Sequence, residues 1–312
     1  MSIRNKSFTN IEQLSDEDIK TIFHRAEVFK KLHAEKKSFK KAFSLSADQD
    51  LNALLVFIEP STRTRISFEM ACNNLGIHPI LFSDVNSSSI AKGESLDETF
   101  RTLKSLNPSV IILRYKGSHF KFDDSIPVVN GGFGSYEHPT QALIDVFTVK
   151  MAQKKLKNQN ILILGDVLHS RVGNSNLKLF TKLGAKVAFC SPSSLFPKDD
   201  LWKNVHCFKD INKGLKWADV VMCLRIQQER HDMSIGLSLA EYRDQYHLGV
   251  DQLNLLKETA IILHPGPCTF GVEMSIDVFK DKRSFIIEQV TNGVFIRSAV
   301  LSLVLDFKWT FD

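Results

Sequence analysis

The residues best equipped for chemistry in this 312-residue chain are cationic, and they stand where apolar runs stop. The run 54–58 gives way to Pro60, Ser61, Thr62, Arg63, Thr64 and Arg65, and the run 110–113 is followed by Arg114. "ILILGD" leads to His169 and Arg171, "VVMCL" ends at Arg225 with Gln227, Glu229 and Arg230 beyond, and "IIL" ends at His264-Pro265-Gly266-Pro267. Runs this short and this apolar read as strands covered on both faces. In open parallel sheets, ligands bind beyond the carboxyl ends of the strands. Arginine at four such ends describes a site for more than one anionic group, because a guanidinium matches carboxylate and phosphate through paired hydrogen bonds.

The first of these exits is the most specific. Pro60 stops the strand and Ser61 is a capping residue. Ile66, Phe68, Met70, Ala71 and Leu75 then form an apolar helical face that ends at Gly76. A helix N-terminus offers unpaired N–H groups and the positive end of the dipole. Arginines in the first turn oppose that dipole unless an anion is present, so the segment reads as a phosphate-binding turn. "EHPTQALIDVFT" opens another helix, with Pro139 as its first residue and His138 and Gln141 three apart on one face. "LGDVLHSR" lacks the glycine spacing of a dinucleotide fingerprint, which argues against a nicotinamide cofactor.

The elements that must position these residues alternate. Ser15 and Asp18 make a capping arrangement for an amphipathic helix carrying Ile19, Ile22, Phe23, Ala26 and Phe29. Strand-like runs at 77–82, 110–113 and 127–129 are separated by helical patterns, and a second series begins near Asn160. This is the βαβ signature of a parallel sheet, met twice. The expected fold is α/β, with two domains, each a mainly parallel sheet flanked by helices. The expected divisions are 1–137, a connecting helix 138–149, and 150–292. The stretch 293–307 reads as a C-terminal helix that needs a docking surface, expected on the first domain. The serine-rich stretch 83–93 reads as a surface loop.

Composition limits the function classes. A formal charge of +5 with dispersed lysines is no nucleic-acid footprint, and the lysine-rich stretch 30–41 reads as a solvated helix face. No apolar run approaches the ~18 residues of a membrane span and no signal peptide is visible, so a soluble cytoplasmic protein is expected. Five cysteines, Cys72, Cys190, Cys207, Cys223 and Cys268, without Cys-x-x-Cys spacing indicate neither a disulfide framework nor structural zinc.

The segments "PSTRTRISFE", "EHPTQALIDVFT", "RIQQER" and "HPGP" together resemble the transcarbamoylase family, and within it the aspartate-specific catalytic chains, in the family's order along the whole chain. The resemblance implies transfer of the carbamoyl group of carbamoyl phosphate to L-aspartate in de novo pyrimidine biosynthesis, with no metal, covalent nucleophile or organic cofactor. It assigns Ser61, Thr62, Arg63, Thr64, Ser88 and Arg114 to phosphate, and Thr64, Arg114 and His138 to the carbonyl oxygen. Gln141 and the backbone carbonyls of Gly266 and Pro267 match contacts to the carbamoyl nitrogen. Arg171 and Arg225, with Gln227, match the clamp on the aspartate carboxylates. Ser88 and Lys92 match residues that a neighbouring subunit inserts, Lys92 reaching both substrates. A homotrimer with shared sites follows, open to assembly with regulatory chains or a dihydroorotase. Arg65 is expected to pair with an acidic neighbour. The chain departs from the family at Glu137, where glutamine is common, and at Thr269, Phe270 and Gly271, where Asn-Arg-Gly is common. The competing readings are a transcarbamoylase for another amino acid acceptor and a non-catalytic phosphometabolite-binding subunit, which would be expected to lack at least one of Arg63, Thr64, Arg114, His138 and Gln141.

Overall fold

The computed structural model describes residues 2–44, 50–83, 88–117, 125–134, 136–153, 155–226 and 238–311. The chain divides into two compact units, one made of Met1–Thr140 with Val290–Asp312, the other of Gln141–Gln289.

In the first unit, helix α1 (Asp16–Ala34) starts with the expected capping box, Ser15 Oγ accepting from Asp18 N and the Asp18 carboxylate accepting from Ser15 N. The strands are β1 (Phe43–Ser44), β2 (Asn52–Phe57), β3 (His78–Phe82), β4 (Val110–Arg114) and β5 (Val128–Asn130), with helices α2 (Thr62–Leu75) and α3 (Leu96–Ser105) between them. β2 to β5 form a parallel sheet in the order β3-β2-β4-β5. Successive residues of a strand face opposite sides, and β2 is buried on both from Ala53 to Phe57, as its unbroken apolar run requires. Leu54, Val56, Ile111, Leu113 and Val128 share one core layer with Phe100 and Leu103 of α3. The N-terminal segment lies along β5, with Phe8 N donating to Val128 O and Asn130 N to Phe8 O.

Helix α4 (Pro139–Gln153) begins at the proline, as expected, and contains the division between the units. The second unit holds β6 (Asn160–Leu164), β7 (Lys186–Cys190), β8 (His206–Cys207), β9 (Val220–Cys223) and β10 (Ile261–Leu263), a parallel sheet in the order β10-β9-β6-β7-β8. Helices α5 (Arg171–Lys182), α6 (Ile211–Trp217), α7 (Leu239–Tyr246), α8 (Val250–Leu253) and α9 (Ile276–Lys280) accompany it. Its core runs from Leu162 and Leu164 through Val221, Cys223 and Ile262 to Tyr242 and Met274.

Helix α10 (Ile286–Val304) starts in the second unit and, from Val290, returns to the first. There it packs on α1: Arg25 Nη1 donates to Ser302 Oγ at 3.0 Å, Lys30 reaches Asn292, and His33 meets Phe295. The guanidinium of Arg25 lies 4.8 Å from the Trp309 ring, beside the antiparallel pair of β1 with β11 (Lys308–Trp309). Burial lowers the pKa of Arg25 to about 10.

One expectation is corrected. Ile66 and Met70 are exposed, and the buried face of α2 is Thr64, Ser67, Phe68, Ala71, Cys72 and Leu75. At 3.6 residues per turn, two residues are separated by about 200°, so Ile66 and Met70 cannot share the face of Phe68. Of the stretch 83–93, residues 84–87 lie outside the described residues, and Ser89–Lys92 form a short 3-10 turn with Ser88 Oγ accepting from Ile90 N. No helix among the described residues is long and apolar enough to cross a membrane.

Candidate active site

In the first unit, three adjacent strand ends carry the candidate residues. After β2, Ser61 caps α2, its Oγ accepting from Thr64 N at 3.4 Å. Thr62 and Arg63 stand exposed in the first helical turn, Thr64 is buried behind them, and Gly76 ends the helix at φ +78°. Arg65 lies 3.7 Å from Glu69, one turn on, which is the acidic pairing expected of it. Arg114 is the last residue of β4, in register with Phe57 of β2. Its carbonyl accepts from Ile58 N and Glu59 N, so the chain entering the turn at Ser61 is pinned to the strand that presents Arg114. The Arg114 guanidinium donates to Glu59 Oε1 at 2.5 Å and to the Gly131 carbonyl at 3.2 Å. That pair is largely buried, where removing one partner would leave an uncompensated charge.

The third exit, after β5, leads to His138. Asn130 shapes it: Oδ1 accepts from Gly132 N and Phe133 N, while Nδ2 donates to the carbonyls of Thr9 and Glu137. His138 is buried immediately before α4. Glu137, the first departure, is buried with Oε2 accepting from Ile11 N at 2.8 Å. A glutamine carbonyl could make the same bond, so the change bears on anchoring of the N-terminal segment. Neighbouring strands lie about 5 Å apart, so the ends of β2, β4 and β5 stand side by side. Ser88 and Lys92 belong to the loop before α3, with Lys92 exposed.

The second unit repeats the arrangement on β6, β9 and β10, again three neighbours. After β6, His169 Nδ1 lies 3.0 and 3.2 Å from the two carboxylate oxygens of Asp166. Ser170 Oγ caps α5 by accepting from Gly173 N, and Arg171 is the buried first residue of that helix. Arg225 follows β9 by two residues and is half-buried. Gln227 falls outside the described residues. After β10, Gly266 is half-buried and Pro267 exposed, joined by a cis peptide bond.

Glu273 ties two of these exits together. Its Oε1 accepts from Ile226 N at 3.0 Å, next to Arg225, and its Oε2 from Thr269 N. Burial raises its carboxyl above the ordinary range against those hydrogen bonds. His264, Cys268 and Glu273 lie close enough to suggest a cation site. The hydrogen bonding describes a different device: Gly266 N donates to His264 Nδ1 at 2.8 Å, so in the neutral ring the proton is on Nε2, the atom 3.8 Å from Glu273. At the second departure, Phe270 packs edge-on against Phe279 of α9 with ring centroids 5.4 Å apart, an apolar tether for this loop.

Glu59, Asn130, Asp145 and Glu273 were not among the sequence-derived candidates. Asp145 was the most accessible of them, since it lies four residues after Gln141 on a helix and therefore on its face; Gln141 Nε2 donates to it at 2.7 Å.

Comparison with known proteins supplies independent footing. The aspartate/ornithine carbamoyltransferase carbamoyl-P binding domain matches residues 6–151, and the corresponding Asp/Orn binding domain matches residues 157–304. The aspartate carbamoyltransferase catalytic subunits of Syntrophotalea carbinolica and Acetivibrio thermocellus are 39% and 41% identical over 308 residues, spanning 97% of this chain and 96% and 97% of theirs. The aspartate transcarbamoylase of Trypanosoma cruzi, solved with carbamoyl phosphate, superposes with a TM-score of 0.83 at 29% identity, covering 96% of this chain and 95% of that one. The ornithine carbamoyltransferase of Pyrococcus furiosus shares the fold with a TM-score of 0.83 at 24% identity, over 98% of this chain and 99% of its own. With both of its halves matched and relatives near 40% identity along its length, the chain belongs to the aspartate/ornithine carbamoyltransferase family.

Proposed function

We propose that this chain transfers the carbamoyl group of carbamoyl phosphate to the amino group of L-aspartate, giving N-carbamoyl-L-aspartate and phosphate, in de novo pyrimidine biosynthesis. The observation that carries the reading is the pair of cationic exit clusters, Ser61–Thr64 with Arg114 in one unit and Arg171 with Arg225 in the other, in a chain whose relatives are named for this reaction. Ser61, Thr62, Arg63 and Thr64, with Ser88, hold the phosphate at the head of α2, where free N–H groups and guanidinium add. Thr64, Arg114 and His138 donate to the carbonyl oxygen. That oxygen gains negative charge as the amine attacks, so these donors bind the transition state more tightly than the substrate. Gln141 and the carbonyls of Gly266 and Pro267 accept from the carbamoyl –NH2. Arg171 and Arg225, supported by Gln227, take the two carboxylates of aspartate, and Lys92 reaches both substrates. The new bond joins the aspartate nitrogen to the carbamoyl carbon, the bond from that carbon to the phosphate oxygen breaks, and the amine proton leaves to phosphate or solvent.

Exposed Ile66 and Met70 on α2, with Ile80 and Leu81 on the edge strand β3, support a homotrimer in which Ser88 and Lys92 serve a neighbouring chain. A solution mass of three chains is expected. Five free thiols suit a reducing cytoplasm, which cell fractionation checks. The acceptor is tested by steady-state assays of the purified chain with carbamoyl phosphate and, in turn, aspartate, ornithine and N-acetylornithine. Turnover is expected with aspartate, and turnover with another acceptor alone would reassign the second unit's site.

A further inference from the structure

The second unit contains a buried polar network centred on Asp145, whose side chain is closed to solvent. Its Oδ1 accepts from Gln141 Nε2 and from Gln289 Nε2, both at 2.7 Å, and its Oδ2 accepts from Asn176 Nδ2 at 2.9 Å. Gln289 Oε1 in turn accepts the backbone N–H of His264 at 2.8 Å, and His264 Nδ1 accepts from Gly266 N. A continuous line of hydrogen bonds therefore runs from Gln141 through Asp145 and Gln289 to the segment holding Gly266 and Pro267. Those are the two groups to which the proposed reaction assigns the carbamoyl nitrogen.

The chemistry of that line is polar in one sense only. A carboxylate accepts and cannot donate, so each amide facing it must present its –NH2. Gln141 thereby turns its carbonyl oxygen away from Asp145, and Gln289 turns its own toward His264 N. A glutamine free to flip would present –NH2 for part of the time, and an –NH2 cannot accept from the –NH2 of a carbamoyl group. A buried network with all its members satisfied also holds one geometry.

Resting on the reaction proposed above, we infer that Asp145 is a positioning residue: it fixes Gln141 as a hydrogen-bond acceptor and, through Gln289, sets the 264–267 segment. In this way it selects an acyl phosphate that carries –NH2 over one that carries methyl. Asp145 touches no substrate.

Acetyl phosphate is the probe, since it has the charge and nearly the shape of carbamoyl phosphate with a methyl in place of –NH2. The measurements are kcat/KM for carbamoyl phosphate with saturating aspartate, and the inhibition constant of acetyl phosphate as a competitor. Asp145→Ala is expected to lower kcat/KM for carbamoyl phosphate by about 10²-fold while acetyl phosphate inhibition changes less than about threefold. Asp145→Asn is the conservative variant. It can keep its oxygen toward the two glutamines and turn its –NH2 to Asn176, whose Oδ1 is buried without a hydrogen-bond partner. It is expected to retain the preference for carbamoyl phosphate within about tenfold. If Asp145→Ala does not fold, Asp145→Ser, which keeps a polar group and admits water, is measured in the same way. Equal weakening toward both acyl phosphates would make Asp145 a general scaffold residue and overturn the inference. A preference that survives Asp145→Ala and Asp145→Ser but disappears in Gln141→Ala would overturn only the role of Asp145. A wild-type chain without any preference would overturn the proposed reaction together with it.

Discussion

Arg63 stands exposed at the head of α2 while Thr64, Ser67 and Phe68 behind it carry the packing, so its guanidinium can be removed with little cost to the fold. Arg63→Ala is expected to lower kcat by roughly 10²-fold or more, the loss typical of an electrostatic transition-state donor, with the thermal transition nearly unchanged. A normal kcat with only a raised KM would assign Arg63 to uniform binding. The arginines proposed for this site were legible in the sequence because they follow the ends of apolar runs, whereas His138 and Gln141 are marked by a helix start, and Ser88 and Lys92 by the family resemblance alone. The residues that aim them were not legible. Glu59 lies one residue before Pro60, yet its partner Arg114 is 55 positions away and meets it only because β2 and β4 pair in register. Gln289 is 144 positions from Asp145, and nothing in spacing or composition joins them.

Among the elements, strands and capped helices were read with ends correct to within a few residues, since buried parallel strands leave unbroken apolar runs and Ser15, Ser61 and Pro139 leave capping signals. Hydropathy alone gives the wrong face for α2, because Ile66 and Met70 are as apolar as Phe68 and hydropathy does not say what an apolar side chain packs against. Their exposure is what a subunit contact needs. For the proposed trimer, Ile66→Asp combined with Met70→Glu is expected to lower the solution mass from three chains to one, at unchanged helix content, and to abolish turnover, since in that assembly Lys92 serves a neighbouring site. A trimer that persists and stays active with both charges in place would place the contact elsewhere.

At the scale of the whole molecule, the two units repeat one plan: a parallel sheet with functional groups at the ends of three neighbouring strands. That plan was readable from alternating elements. The return of α10 to the first unit was expected too, from the family resemblance; what an apolar helix does not announce is its partner element, which Arg25 with Ser302 and His33 with Phe295 identify as α1. The departures at Glu137 and Phe270 are absorbed by the bond to Ile11 N and by the ring of Phe279, which leaves the strand-end donors in place for the reaction. The chemistry proposed for this chain stands or falls on one new carbon–nitrogen bond, between carbamoyl phosphate and aspartate. The direct measurement supplies the purified chain with isotopically labelled carbamoyl carbon and labelled aspartate nitrogen, and follows both by nuclear magnetic resonance. The expected product has a carbon signal split by the attached nitrogen and forms in equimolar amount with released phosphate; phosphate released without that coupling would rule the reaction out.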